Sequence, residues 1–256
     1  MITSKDNEVI KEIKKLKEKK YRENKYIVEG IKMVNEAINE KASIDKIVFC
    51  NLDLEREIKN LNQFNYIEVS EKVFKELTDV VTPQGVLAVI NKESETDSID
   101  IKRVDTSARY ILALDNLQDP GNLGTIIRTA DAANLKQIIV SKDTVDAYSP
   151  KVIRATMGAI FRVKIIEAEN LKETLLSLQK RNFKIVTTSL QTENSIYDID
   201  YKNKVVVIGN EANGVEKEIQ DLSDYKVKIP MIGKTESLNA AVAASIMIYE
   251  YVRQSI

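Results

Sequence analysis

Apolar residues are distributed differently in the two halves of the chain. In the first ninety residues the short apolar runs KYIVEG, IDKIVFC, YIEV and GVLAVI alternate with the helix-period stretches IKMVNEAINE, LEREIKNLNQ and VFKELTDVV. Runs of this length between such segments predict a compact α/β unit. Within the stretch from about Ile31 to Glu40, Ile31, Val34, Ala37 and Ile38 share one face, as a buried stripe would. From Ala108 onward the runs are YILALDN, QIIV, FRVKII, FKIVTTS, KVVVIGN and YKVKIP, with helices predicted near residues 122–134, 150–159, 170–182, 214–223 and 237–253. Continuous apolar strands separated by helices predict a mostly parallel sheet covered on both faces. Residues 92–107 are mostly polar and contain no aromatic residue, which predicts a linker. The expected organisation is a unit at 1–95, a linker at 96–107 and a second unit at 108–256.

Composition narrows the chemistry. There is no histidine, and Cys50 is the sole cysteine, so an intrachain disulfide, a Cys/His zinc site and any Ser-His-Asp or Cys-His arrangement are excluded. Metal is not expected, and the chemistry must use carboxylates, amides, hydroxyls, Arg or Lys. The opening MITSKDNEVIKEIKKLKEKK lacks the apolar core of a secretory signal, and no stretch approaches the ~18 apolar residues of a membrane span. With a single thiol, the expectation is a cytoplasmic protein that does not engage a membrane. The formal net charge of −1 hides an asymmetry, because residues 11–25 carry eight Lys/Arg against three Glu. Such a segment is either a solvated helix laced with Glu/Lys pairs or a surface that follows phosphates.

Six of the eight glycines and three of the four prolines lie between Pro120 and Gly233, mostly where a strand ends. In open α/β sheets the ligand crevice lies outside the carboxyl ends of the strands, so these turns are where chemistry is expected. Three constellations stand out. In LDNLQDPGNLGTIIRTADAANL (114–135), a strand ends at Asp115-Asn116, a Pro-Gly turn follows, and Asn122 is placed to cap a helix carrying Arg128. A glycine-rich turn feeding a helix N-terminus suits an anion. In KVVVIGNEANGVEKEI (204–219), a buried strand ends at Gly209, followed by Asn210 and Glu211; the carboxylate either stands at the crevice or caps the next helix. In KIPMIGKTESLNAAVAASIMIYEYV (228–252), Pro230 and Gly233 bend the chain, and Ser237 and Asn239 open a helix rich in alanine.

Residues 111–135, 204–219 and 228–250 resemble, in order and spacing, the three signature motifs of the SpoU (TrmH) family of RNA ribose 2′-O-methyltransferases. Residues 4–30, ending RENKYIVEG, and residues 66–91 look like the family's N-terminal substrate-binding domain. The resemblance implies a SPOUT-class catalytic domain, a parallel sheet tied into a deep trefoil knot, behind a smaller L30e-like α/β domain. Knots are essentially absent from proteins at large, and periodicity would not have revealed one. It also implies a homodimer and S-adenosylmethionine as cofactor, at positions matching Gly209, Asn210, Ile229, Leu238 and Asn239, with Thr187, Thr188 and Ser189 as a further wall. Asn122, Arg128, Glu211, Ser237 and Asn239 fall at the implied catalytic centre.

A ribose 2′-hydroxyl must attack the sulfonium methyl in line, which requires alignment, loss of one proton and stabilisation of developing negative charge, but no metal and no covalent intermediate. A guanidinium stays protonated, so the expected role of Arg128 is to hold the adjacent phosphate and the oxyanion. Glu211 either pairs with Arg128 or orders its loop. The basic segment at 11–25, with Tyr21 and Tyr26 as stacking planes, is the expected RNA grip. With its full N-terminal domain the chain looks more like the family's large-subunit rRNA enzymes than its tRNA enzymes, a resemblance that implies large-subunit (23S) rRNA over tRNA as substrate. Two rivals are a non-catalytic L30e-like RNA-binding module, disfavoured by the intact five-residue set, and a nucleotide- or NAD-dependent enzyme. The latter is disfavoured by the missing GxGxxG fingerprint and Walker lysine.

Overall fold

The computed structural model describes residues 1–92 and 100–256; residues 96–99 of the expected linker lie outside the described residues. Two units are present, Met1–Glu95 with Tyr148–Phe161, and Thr96–Ala147 with Arg162–Ile256.

The first unit is a four-stranded sheet with helices, built from α1 (Glu8–Lys15), β1 (Lys25–Glu29), α2 (Ile31–Asn39), β2 (Ile44–Phe49), β3 (Tyr66–Glu68), α3 (Glu71–Leu77) and β4 (Val86–Asn91). The strand order is β1-β4-β2-β3, with β4 antiparallel to both neighbours and β2 parallel to β3. Ile10 and Ile13 of α1 and Val73 and Phe74 of α3 close over Val48 and Leu87 of the sheet. On α2, Val34 and Ala37 of the expected stripe are buried together with Met33, while Ile31 and Ile38 are half-buried. The stretch LEREIKNLNQ does not form an α-helix. It makes two short 3₁₀ turns, Leu52–Arg56 and Leu61–Gln63, because the Asn51 side chain caps Asp53 and Asn60 takes a left-handed conformation, φ +50°, between them. Helix α6 (Pro150–Thr156), capped by Ser149, packs on β1 within this unit, and the Tyr148 ring lies 4.8 Å from that of Tyr26. Tyr26 is therefore buried and is no stacking plane for a base; exposed Tyr21 keeps that capacity.

The second unit contains α4 (Asp100–Arg103), β5 (Tyr110–Leu114), α5 (Pro120–Ala132), β6 (Gln137–Ser141), β7 (Lys164–Ala168), α7 (Leu171–Gln179), β8 (Lys184–Thr188), β9 (Lys204–Ile208), α8 (Lys217–Leu222), β10 (Tyr225–Val227) and α9 (Ala240–Ser255). Its six strands run in the order β10-β8-β9-β5-β6-β7, and every pair is parallel. β5 and β9 are buried at every position, as continuous apolar strings should be. Each fully buried Val, Ile or Leu contributes about 1.5–3 kcal/mol. Leu171, Leu175 and Leu178 of α7 cover one face beside Ile111, Val205 and Val207, while α5 and α9 pack on each other and on β6 and β9. The run FRVKII enters the sheet only at Lys164, because Ala159–Phe161 forms a 3₁₀ turn. Strand order reverses between β5 and β9, the kind of switch point beside which such sheets open a crevice. Among the described residues no helix is long and apolar enough to cross a membrane.

At the other end of β5, the Tyr110 ring stacks on Tyr251 at 4.5 Å and lies 6.2 Å from Tyr201. Its hydroxyl is buried and has no hydrogen-bond partner among the described residues, which normally costs about 1–3 kcal/mol. Tyr110→Phe keeps the stack and removes the orphan group. It is expected to raise Tm by about 2–4 °C in a thermal melt, whereas a drop of that size would mean the hydroxyl is satisfied.

Candidate catalytic and cofactor site

A cavity of about 350 Å³ lies at the carboxyl ends of β8, β9 and β10. Thr188, Ser189, Gly209, Asn210, Ile229 and Leu238 line it, as expected. Thr187 does not: its side chain is buried and bonds to Ser223 at 3.1 Å, because alternate residues of a strand face opposite ways. Asn239 is also absent from the lining, although its neighbours Leu238 and Ala240 belong to it.

The wall after β9 folds back on itself. Asn210 and Gly214 exchange two backbone hydrogen bonds of 2.9 Å, and Gly214 has φ +70°. The Asn210 side chain accepts from the N–H groups of Ala212 and Asn213 and donates to the Asn116 carbonyl at 2.8 Å. Gly209 is held to glycine by this fold-back, since an added Cβ would stand 2.0 Å from the Gly214 carbonyl carbon and 2.1 Å from the Val215 nitrogen.

Three of the expected catalytic residues form one chain of hydrogen bonds. Asn239 donates through Nδ2 to Asn122 Oδ1 at 2.9 Å, and Asn122 donates through Nδ2 to Glu211 Oε1 at 2.9 Å. Glu211 also accepts from the backbone N–H groups of Gln118 and Asp119, both at 3.3 Å. Its partial burial pushes the carboxyl pKa up. The hydrogen bonds from Asn122 and from the backbone of Glu211, Gln118 and Asp119 outweigh this and hold it below the usual carboxylate range. The expected anion site at the start of α5 is thus filled from within: Asp119, not Asn122, is the N-cap, and Glu211 takes neighbouring N–H groups. Asn239 caps α9 through Ala241 and Val242, so this chain ties the ends of two helices to the wall after β9.

Arg128 and Ser237 stand apart from that chain. Arg128 sits six residues beyond Asn122 on α5, about 9 Å along the axis, exposed and outside the cavity lining. No hydrogen bond or ion pair holds it among the described residues, and Glu211 turns to Asn122 instead. Ser237 is exposed at the cavity lining, its hydroxyl likewise uncommitted among the described residues. Asp115 was not singled out by sequence. It is 2% exposed at the end of β5, its Oδ2 accepts the Glu216 N–H at 2.7 Å, and burial pushes its pKa up to about 6. The available signal was a lone carboxylate ending an apolar run.

The cavity has the size and the mixed apolar and backbone-polar wall that hold a small organic cofactor. In the first unit, the charge of residues 11–25 is partly spent on neighbours: Lys11 pairs with Glu8, Lys14 with Glu76 and Lys17 with Asp79. Lys20 pairs with Glu18 at 3.1 Å, and Lys15 and Lys20 both flank the Tyr21 ring at 5.7 and 4.9 Å from its centroid.

Comparison with known proteins gives a consistent picture. The sequence profile of the SpoU rRNA Methylase family matches residues 109–249, and that of the MRM3-like substrate binding domain matches residues 7–88. The 23S rRNA (guanosine(2553)-2′-O)-methyltransferase RlmP of Bacillus subtilis is 33% identical, over 97% of both chains. An AdoMet-bound rRNA methyltransferase from Sinorhizobium meliloti superposes with a TM-score of 0.87 at 32% identity, covering 100% of this chain and 98% of that one. The SpoU methyltransferase AviRb from Streptomyces viridochromogenes, in complex with AdoMet, gives 0.83 at 26% identity, covering 97% and 98%.

The fold-back at Gly209 predicts that Gly209→Ala lowers Tm by about 10 °C or more, because backbone rather than a movable side chain must yield. Gly233→Ala, with nothing within 4 Å of the added Cβ, is the matched control and is expected to leave Tm within about 2 °C. Equal melts for the two variants would refute the tight approach.

Proposed function

The chain belongs to the SpoU rRNA methylase family, and from that premise we propose that it transfers a methyl group from S-adenosylmethionine to a ribose 2′-hydroxyl of large-subunit (23S) rRNA. The observation that carries this reading is the Asn239–Asn122–Glu211 chain of hydrogen bonds, which gathers all three sequence motifs beside one cavity. Whole-length similarity to rRNA enzymes, first unit included, favours rRNA over tRNA.

Bound in the cavity, S-adenosylmethionine supplies a methyl group activated by its sulfonium. The chain's own residues supply position. Gly209, Asn210, Ile229 and Leu238 present the cofactor wall, with Thr188 and Ser189 as a further wall. Glu211 is ionised and its oxygens are committed to N–H donors, so it orders Asn122 and is poorly placed to take a proton. Ser237, uncommitted at the lining, orients the ribose hydroxyl. The planar guanidinium fork of Arg128 binds the phosphate next to the target ribose. Alignment of this kind is worth several kcal/mol of barrier without any further catalyst. The first unit grips RNA through Tyr21, Lys15 and Lys19, the charge being available to phosphates and the ring to a base.

The working form in this proposal is a homodimer, with the segment between β10 and α9 threaded as a trefoil knot. Arg128 then serves the cavity of the partner subunit, a reading supported by its exposure outside its own cavity's lining. Val242 and Tyr249, exposed on α9, are suited to the subunit contact.

Two experiments test these statements. Transfer of labelled methyl to unmodified large-subunit rRNA and, in parallel, to unmodified tRNA is expected to yield one nuclease-resistant 2′-O-methylated dinucleotide, in rRNA. Label in tRNA overturns the substrate, and failure to bind S-adenosylmethionine overturns the catalytic reading. In the second, Arg128→Ala and Ile229→Trp, each inactive alone, are mixed by co-expression. If Arg128 acts across the dimer, the heterodimer holds one intact site and recovers about half of wild-type turnover per dimer; no recovery means that Arg128 acts within its own subunit.

A further inference from the structure

The cofactor wall after β9 is fastened at two points to the turn that follows β5. One fastener is the Asn210 side chain on the Asn116 carbonyl, a carbonyl aimed by the left-handed conformation of Asn116, φ +59°. The other is Asp115, whose Oδ2 accepts the Glu216 N–H at 2.7 Å while its own N–H donates to the Ile208 carbonyl at 2.8 Å. Asp115 thus grips both ends of the segment 208–216, most of which lines the cavity, without reaching the cavity itself. A buried carboxylate is an expensive way to accept one N–H, since an amide or hydroxyl would do so without desolvating a charge.

We propose that Asp115 is a positioning residue for cofactor binding: its carboxylate clamps the 209–216 wall in the shape that receives S-adenosylmethionine. This rests on the cofactor assignment made under Proposed function. A charge-assisted hydrogen bond is roughly twice as strong as a neutral one, so the ionised form holds the wall more firmly. Burial first, and then repulsion from Glu216 at the start of α8, raises the Asp115 pKa to about 6, against the opposing effect of the Glu216 N–H. The neighbours that β9 and the turn after β5 contribute, Ile208 and Asn116, are uncharged. Glu211 is held below the usual carboxylate range and does not titrate in the same interval. Because the folded chain keeps a proton that the unfolded chain has released, stability falls as pH rises from the usual carboxylate range through about 6. The clamp therefore tightens over the interval in which the fold loses stability, which separates a positioning role from a merely structural one.

The test uses the full chain with Asp115→Ala and Asp115→Asn, each shown to be folded by circular dichroism. The readouts are calorimetric Kd for S-adenosylmethionine at pH 5 to 7 and amide hydrogen exchange across 210–216. Asp115→Ala is expected to raise Kd about tenfold at pH 7 and to speed exchange in that segment. Asp115→Asn, which keeps an acceptor oxygen, is expected to stay within about threefold of wild type, to abolish the tightening of Kd between pH 5 and 7, and to raise Tm at pH 8 by about 5 °C but not at pH 5. Unchanged Kd and exchange in Asp115→Ala, or a wild-type pH dependence in Asp115→Asn, overturns the proposal. A wild-type chain that binds no S-adenosylmethionine overturns the functional reading instead, and the exchange data then still decide whether Asp115 holds the wall.

Discussion

The parallel pairing of β5 with β9, from Tyr110 opposite Lys204 to Leu114 opposite Ile208, is the contact on which the site depends. Both strands are buried on both faces, so their register is fixed by the whole core rather than by a turn. That register delivers Asp115-Asn116 and Gly209-Asn210 side by side at the same end of the sheet. Everything that follows is short-range fastening: Asn210 to Asn116, Asp115 to Glu216, Glu211 to Asn122. A slip of one residue would send each of these side chains to the opposite face.

The fastening draws on a narrow set of side chains, in a chain without histidine. Its polar side chains are spent on each other and on backbone N–H groups, leaving Arg128 and Ser237 as uncommitted groups among the described residues of the expected set. An amide such as Asn122 both donates and accepts, so it can join a carboxylate to a second amide without any change of charge. The amides thereby join three separate segments of the chain into one frame beside the cavity.

Much of this was legible in the sequence. β5 and β9 announced themselves as unbroken apolar strings, and the glycines and prolines at strand ends located the crevice. The region 54–63 misled because its apolar spacing is helical while Asn51 and Asn60 each start a separate short 3₁₀ turn. Tyr26 looked available beside a basic segment, yet α6, more than a hundred residues later, brings Tyr148 against it. Thr187 and Thr188 are adjacent, and only the pleat decides which one faces the cavity. The partner of Glu211 could not be chosen from composition, because Arg128 and Asn122 share one helix and the answer depends on which end of α5 meets the loop. Asp115 was invisible as a clamp, since a lone carboxylate after a strand looks like the beginning of a solvated turn.

The hydrogen bonds that define the site close over long separations: 89 residues between Asn122 and Glu211, 101 between Asp115 and Glu216, and 117 between Asn122 and Asn239. β9 must also insert between β5 and β8 before the sheet is continuous. On a ribosome, then, no nascent chain has the clamp until about residue 216 has emerged, and none has the Asn122–Asn239 bond until the start of α9 is out. The first unit meets the same constraint, since α6 arrives long after the sheet it packs on. Completion therefore comes late in synthesis and nearly all at once, and an incomplete chain offers neither a formed cavity after β9 nor a finished first unit.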